Sequence, residues 1–88
     1  MVQALIPHYV YGRGAGAQVV VLNVQSLRIV ALDDVETRLW RHLEAQPGHV
    51  CPIGELVSSY APRGGAAAEM AVQRIQRLAQ LRVLELKE

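Results

Sequence analysis

The order of hydrophobic and polar residues divides this chain into a first third with β character and a helical remainder. Residues 19–24 and 27–32 are dense in β-branched and aliphatic side chains, with the polar pair Gln25-Ser26 between them. Two such runs with a short polar gap are typical of a β-hairpin. Residues 8–11 predict a short strand ahead of it, and the glycine-rich residues 12–16 predict a flexible connection. The first third is therefore predicted to form a three-stranded antiparallel sheet.

A helical period begins directly after the hairpin. Asp33 followed by Glu36 is a capping-box signature, in which each residue hydrogen-bonds the backbone of the other. Val35, Leu39 and Leu43 recur every four residues, so residues 34–45 are predicted to form an amphipathic helix.

Two further helices are predicted before the chain ends. Pro52 is well tolerated in a first turn and starts a short helix that reaches Tyr60, and residues 66–81 form the longest helix. Residues 83–86 predict a short extended segment. The order β-β-β-α-α-α predicts one α+β domain over residues 1–88, similar to a winged helix-turn-helix with the hairpin as its wing.

Composition limits the function classes. Hydrophobic residues make up 51% of the 88 residues and charged residues 19%, which excludes a disordered chain. A formal net charge of +1 predicts no strong attraction to nucleic acid or to an anionic membrane. The single cysteine, Cys51, has no partner for an internal disulfide, and no signal peptide or membrane-spanning run is evident. A cytoplasmic protein is expected.

No metal or cofactor is predicted. His49 and Cys51 are two residues apart, but His8 and His42 have no partner at a recognisable ligand spacing. Cys51 is therefore interpreted as a small buried apolar side chain.

No catalytic residue is predicted either. Ser58 and Ser59 lack the motif of a nucleophile elbow, and Asp33-Asp34 precedes a helix, where capping explains it. The glycine-rich residues 12–16 match neither a dinucleotide-binding motif nor a P-loop. The chain is predicted not to be an enzyme.

The hairpin carries apolar residues on both faces. Leu27, Ile29 and Ala31 share one side, while Val30, Leu32 and the stem of Arg28 share the other. An antiparallel sheet with one wet face normally alternates apolar and polar residues. The surplus of apolar side chains indicates strand addition or self-association at a sheet edge. The alternative is that the N-terminal strand and the C-terminal tail cover these side chains.

The last helix carries Arg74 and Arg77, and Arg82 follows it. Residues 63–88 hold five basic and three acidic residues, an excess of +2, which is weak for a DNA-binding stripe. Three interpretations stay open at this point: phosphate contacts, a solvated helix face, and a basic rim that attracts an acidic peptide.

A family resemblance covers about residues 18–86. Its motifs follow one another in order: Ala31-Leu32-Asp33, Thr37-Arg38-Leu39-Trp40, Glu55-Leu56, Tyr60, Ile75, Leu78 and Val83-Leu84-Glu85. In order and spacing these residues resemble the pyrroloquinoline quinone synthesis protein D family (PqqD-like), also called the RiPP recognition element. Two positions depart from the family pattern, which often has Asn at the position of Asp33 and commonly Gly at the position of Arg82.

The resemblance implies a discrete peptide-binding protein. Such domains bind the leader segment of a ribosomally made precursor peptide as an antiparallel strand, added to the third β-strand beside the third helix. Carried onto this chain, the expected peptide-binding residues are Leu27, Arg28, Ile29, Val30, Ala31, Leu32, Arg74, Ile75, Arg77, Leu78 and Leu81. The expected second partner is a modifying enzyme or a leader peptidase, with a lasso-peptide pathway slightly favoured over quinone-cofactor biosynthesis.

Two alternatives from other classes remain. One is a small winged-helix DNA-binding regulator that uses Arg74, Arg77 and Arg82. The other is a dimerisation domain that pairs the edge at residues 27–32 with a second copy.

Overall fold

The computed structural model describes the backbone of residues 1–88 and the side chains of all of them except Ala15. It contains six strands and three α-helices. In chain order these are β1 (Gln3–Leu5), β2 (Val10–Ala15), β3 (Gln18–Asn23), β4 (Arg28–Ala31), α1 (Asp34–Glu44), β5 (Val50–Pro52), α2 (Ile53–Tyr60), α3 (Gly65–Gln80) and β6 (Glu85–Lys87). A 3-10 turn at Pro47–His49 links α1 to β5.

The strands form two antiparallel sheets, where the sequence predicted one. The larger sheet has the order β2-β3-β4, and the smaller has the order β5-β1-β6. The α+β class, the hairpin and the three helices are confirmed. Strands β1 and β5 were not predicted, because three residues are too few to display a two-residue period. The predicted extended end of the chain does form a strand, shifted to Glu85–Lys87.

Strand β2 extends through the glycines that were predicted to be a flexible connection. That prediction was wrong: the strand pairs with β3 from Val10 to Ala15, and the turn shrinks to Gly16 and Ala17. Gly16 has a φ of 67°, which suits the first central position of a tight hairpin turn. Within β2, Gly12 has a packing role. A Cβ atom at Gly12 would lie 2.7 Å from Nε1 of Trp40, so this strand leaves room for the indole of α1.

Helix α1 starts at the predicted capping box. The Asp33 carboxylate accepts the N–H of Glu36 at 2.8 Å, and the Glu36 carboxylate accepts the N–H of Asp33 at 3.0 Å. The helix turns Leu39, Trp40 and Leu43 into the core, as its four-residue period predicted. The largest fully buried side chains come from all layers of the fold and include Leu32, Leu39, Trp40, Leu43, Leu56, Ile75, Leu78 and Leu84.

Helix α3 ends in a Schellman motif with arginine at the position that usually holds glycine. The N–H of Arg82 bonds the carbonyl of Ala79, and the N–H of Val83 bonds the carbonyl of Leu78. Arg82 has a φ of 60°, a left-handed conformation that costs an L-residue about 1 kcal/mol or more. The departure from the family pattern at Arg82 therefore leaves the helix end intact at the expense of backbone strain.

Gly12→Ala is expected to destabilise the fold by about 1–3 kcal/mol, because the new methyl group overlaps Trp40 and forces the core to shift. Gly14→Ala is the matched control: it lies on the same face of β2, and a Cβ there has no atom within 4 Å. Urea unfolding measures both. Equal stabilities for the two variants would contradict the contact between Gly12 and Trp40.

Arg82→Gly is expected to stabilise the protein by about 0.5–1 kcal/mol, because glycine adopts the left-handed conformation at little cost. Arg82→Ala removes the same charge but keeps the strain, so it controls for the side chain. Thermal unfolding of the three proteins compares them. A gain in the alanine variant equal to that in the glycine variant would assign the effect to charge instead of backbone conformation.

Candidate functional site

The outer edge of β4 is the candidate site, because β4 pairs with β3 on one side only within the described structure. The N–H of Leu32 bonds the carbonyl of Val19 at 2.9 Å, and Val30 stands opposite Val21 in the same register. Residues facing each other in an antiparallel pair alternate between bonded and non-bonded positions. Arg28, Val30 and Leu32 therefore bond β3, while the N–H and C=O groups of Ile29 and Ala31 point away from the sheet.

The side chains next to this edge are apolar and exposed. Leu27 is 81% exposed and Ile29 is 70% exposed, and Ala31 is also exposed. Ile29 stands opposite Leu22, which stands opposite Tyr11, so an apolar row crosses the outer face of all three strands. An open pocket of about 490 Å³ lies along this row. The surplus of apolar residues predicted for the hairpin is therefore left uncovered on this face.

Four side chains of the expected peptide-binding set lie in the core of the described structure. Val30 and Leu32 alternate with the exposed residues and point into the core, opposite Val21 and Val19. On α3, Ile75 and Leu78 are 2% and 0% exposed. These four side chains are buried, so they offer a peptide little accessible surface in this arrangement. Hydrophobic character alone did not distinguish the exposed apolar side chains of this region from those in the core.

Arg74 and Arg77 are held by carboxylates of the α1 cap. The Nε atom of Arg74 donates to Asp33 at 2.7 Å, and Arg77 donates to Glu36, whose side chain is 1% exposed. A buried carboxylate needs a charged partner, so the pair of Arg77 with Glu36 is structural. Both arginines belong to the expected peptide-binding set, and each has one guanidinium nitrogen bonded to a carboxylate of the same chain.

A small pocket lies where the hairpin meets the end of α3. It has a volume of about 230 Å³ and is lined by Ser26, Arg28, Gln80, Leu81 and Arg82. Of the predicted set it therefore contains Arg28 and Leu81. Ser26 and Gln80 were not identified from the sequence.

Asn23 ties the two walls of this pocket together. Its side-chain N–H donates to the carbonyl of Arg82 at 2.7 Å, and its oxygen accepts the N–H of Ser26 at 3.1 Å. A lone amide within the apolar run of residues 19–24 was the signal for this role, because buried amides are normally hydrogen-bonded.

Two of the side chains weighed for catalysis, Ser59 and Asp33, have structural partners. The Ser59 hydroxyl donates to the carbonyl of Leu56 at 2.6 Å, and Asp33 caps α1. Burial raises the pKa of the Cys51 thiol, and the nearby charge of Glu55 acts in the same direction. A raised pKa keeps the thiol protonated at neutral pH, which disfavours a nucleophilic role for Cys51.

A comparison with solved structures identifies the fold. One structure, "TbiB1 in Complex with the TbiA(beta) Leader Peptide", matches with a TM-score of 0.73 and 22% sequence identity, over 92% of this chain and 94% of that chain. The chain has the fold of TbiB1. The resemblance inferred from the sequence is thereby confirmed for the fold.

No protein-family model and no curated protein sequence matches the chain. Of the helices described, none is long and apolar enough to cross a membrane.

Asp33 makes the stability of the fold depend on pH in a predictable direction. Burial, the largest single influence, acts to raise the pKa of Asp33, but the N–H of Glu36 and the guanidinium of Arg74 together outweigh it and hold the pKa below its ordinary value. The pKa of an aspartate in the unfolded chain is about 3.9. Because the pKa of Asp33 is lower in the folded protein, its charge stabilises the fold at pH values above about 3.9. This stabilisation is lost as the pH falls through the pKa of the folded state.

Asp33→Asn keeps a good helix cap but removes the charge, so it is expected to be less stable than the parent at pH 7. The gap should close as the pH falls and Asp33 of the parent becomes protonated. Urea unfolding at pH 7 and at about pH 2.5 measures it. Asp34→Asn, at the exposed neighbouring position, is the control and should show a smaller gap at pH 7. An undiminished gap in acid would contradict the assignment.

Proposed function

We propose that this chain is a non-catalytic module that binds the leader segment of a ribosomally synthesised precursor peptide by adding it as a strand to β4. The observation that carries the proposal is the outward-pointing backbone of Ile29 and Ala31, on a fold shared with a protein solved in complex with a leader peptide. An open strand edge offers a new strand both hydrogen bonds and register.

The surroundings of β4 favour a leader with alternating apolar residues. Side chains of an added strand point alternately to the two faces of the sheet. On the outer face they meet Leu27 and Ile29, both highly exposed. On the opposite face they meet the pocket between Arg28 and Leu81. In the proposal these two surfaces take the place of the side chains of Val30, Leu32, Ile75 and Leu78, which belong to the expected peptide-binding set but lie in the core.

Charge complementarity then rests mainly on Arg28 and Arg82. Both are exposed beside the small pocket, and neither forms an ion pair with another described side chain. Leader carboxylates paired with them contribute modest energy but orient the peptide. Arg74 and Arg77 are bonded to Asp33 and Glu36, so they add little net charge here.

The module is proposed to deliver the bound precursor to a modifying enzyme or a leader peptidase. A tethered substrate has a raised effective concentration at the partner's active site, so binding promotes the reaction without chemistry in the module itself. A lasso-peptide pathway with a separate leader peptidase is the favoured context, and quinone-cofactor biosynthesis is the other. The cytoplasm is the compartment in which such a partner is expected.

The DNA-binding alternative is disfavoured by the same ion pairs. Phosphate binding needs cationic side chains whose charge is not already neutralised, whereas Arg74 and Arg77 each bond a carboxylate of the α1 cap. The likeness to a winged helix-turn-helix remains a prediction from sequence. Pairing of β4 with β4 of a second copy remains the third hypothesis, since it uses the same open edge.

The first experiment is fluorescence anisotropy with labelled leader peptides of precursors encoded beside the gene, and with a labelled DNA duplex as control. Saturable binding to one leader but not to the duplex is expected. Duplex binding that falls steeply with salt, without leader binding, would instead establish the regulator. Sedimentation without peptide tests the dimer, which is expected to be absent.

Ile29→Pro is expected to weaken leader binding at least about fivefold, because proline removes an outward N–H worth about 1 kcal/mol and its ring obstructs the incoming strand. Ile29→Ala is the matched control, since it removes the same side chain but keeps the N–H. Anisotropy with the leader measures both, and circular dichroism verifies folding. Equal affinities for the two variants would rule out strand addition at β4.

Proline at Val30 is a poor test of the same idea. The N–H of Val30 faces β3, so its loss breaks the sheet itself and weakens binding for an uninformative reason.

A further inference from the structure

Three potential metal ligands from different parts of the chain meet beside the smaller sheet. They are His42 in the last turn of α1, Cys51 in β5 and Glu55 in the first turn of α2. Their ligand atoms all lie within 4.8 Å of one another. None of the three belongs to β4 or α3, so this cluster is separate from the proposed peptide site.

The fold explains why these residues converge. Cys51 is the middle residue of β5, stands opposite Ala4 of β1 and is 1% exposed, so its sulfur is held in place by the sheet. Helix α2 follows β5 directly, which puts Glu55 one turn away from Cys51, and α1 also packs against β5. The sequence spacing hid the cluster, because it drew attention to His49, which is exposed in the 3-10 turn.

The chemistry of the three side chains matches one class of ion. Thiolate, imidazole and carboxylate are the ligands that Zn²⁺ takes in proteins, at bond lengths of about 2.0–2.3 Å. Mg²⁺ and Ca²⁺ require mostly oxygen ligands, which this cluster does not supply. Neighbouring ligands around a tetrahedral zinc lie about 3.5 Å apart, so the cluster must contract by about 1 Å. The half-buried His42 and the exposed Glu55 have room to make that adjustment while Cys51 stays fixed.

The existing contacts of these ligands are weak enough to be replaced. The thiol of Cys51 donates to the carbonyl of Pro52 at 3.4 Å, and the amide of Gln46 lies 3.4 Å from Nε2 of His42. Gln46 is also bonded to the carbonyl of His42 at 3.3 Å, so it keeps a partner when the imidazole turns towards a metal.

We propose that His42, Cys51 and Glu55 form an open zinc site with three protein ligands. On binding, the thiol of Cys51 loses its proton to solvent and its sulfur bonds the metal. The fourth position lies on the exposed side of the cluster, next to Glu55, and takes water or a ligand atom from a bound partner. The metal joins α1, β5 and α2, and therefore stabilises the attachment of the smaller sheet to the helices.

Titration of the reduced protein with Co²⁺ is the direct test, with no peptide present, so the result does not depend on leader binding. One equivalent should produce a thiolate-to-cobalt charge-transfer band in the near ultraviolet and the visible bands of a tetrahedral ion, and Zn²⁺ should displace it. Zn²⁺ should also raise the unfolding temperature, because it binds the folded state. Absence of the thiolate band would overturn the proposal.

Variants separate this cluster from its neighbours. Cys51→Ser should abolish the thiolate band, but it alters a buried side chain and is not sufficient alone. His42→Gln and Glu55→Gln change less buried residues and should each weaken Co²⁺ binding at least about tenfold. His49→Gln and Glu44→Gln alter exposed residues outside the cluster and should stay close to the parent. Equal losses in His49→Gln and His42→Gln, or full binding in Glu55→Gln, would overturn the assignment of ligands.

Discussion

The reciprocal hydrogen bonds between Asp33 and Glu36 determine how the sheet, α1 and α3 fit together. They fix the point at which β4 gives way to α1, since each side chain occupies a backbone N–H at the start of the helix. The remaining oxygens of the same carboxylates bind Arg74 and Arg77 of α3. One four-residue segment thus positions both the open strand and the helix beside it. Because Glu36 is buried, loss of Arg77 would leave an uncompensated charge in the core.

The sequence predicted those elements whose cause is local. The capping box and the four-residue apolar period specify α1 without any knowledge of its neighbours, and the start of α1 was placed correctly. Strands β1 and β5 have no such local cause, because each forms only when residues about fifty positions apart pair, as Ala4 does with Cys51. Gly12 misled the prediction for a related reason: glycine there indicates a close approach by Trp40, and this is evident only after α1 is docked on the sheet.

The sequence located the strand with the open edge, but it did not show which of its side chains are exposed. Alternation showed that Ile29 and Val30 point to opposite faces, yet it did not show which face is covered, because both are apolar. The covered face is selected by Val21, which pairs with Val30 under the helices. The roles of Arg74 and Arg77 depend on carboxylates 41 residues away, and no periodicity along α3 reveals them.

The short length of β4 limits what backbone hydrogen bonds would contribute to the proposed peptide complex. Ile29 and Ala31 offer four outward hydrogen-bonding groups, worth about 4 kcal/mol in total at about 1 kcal/mol each. A micromolar complex requires about 8 kcal/mol, before the cost of ordering a flexible peptide. At about 25 cal/mol per Å², the difference corresponds to roughly 160 Å² of buried apolar surface. The exposed apolar row of Tyr11, Leu22 and Ile29, together with the exposed Leu27, provides a surface of this kind. In the proposed complex the edge would therefore supply register and about half of this free energy, whereas the apolar face beside it would supply the rest and discriminate between peptides.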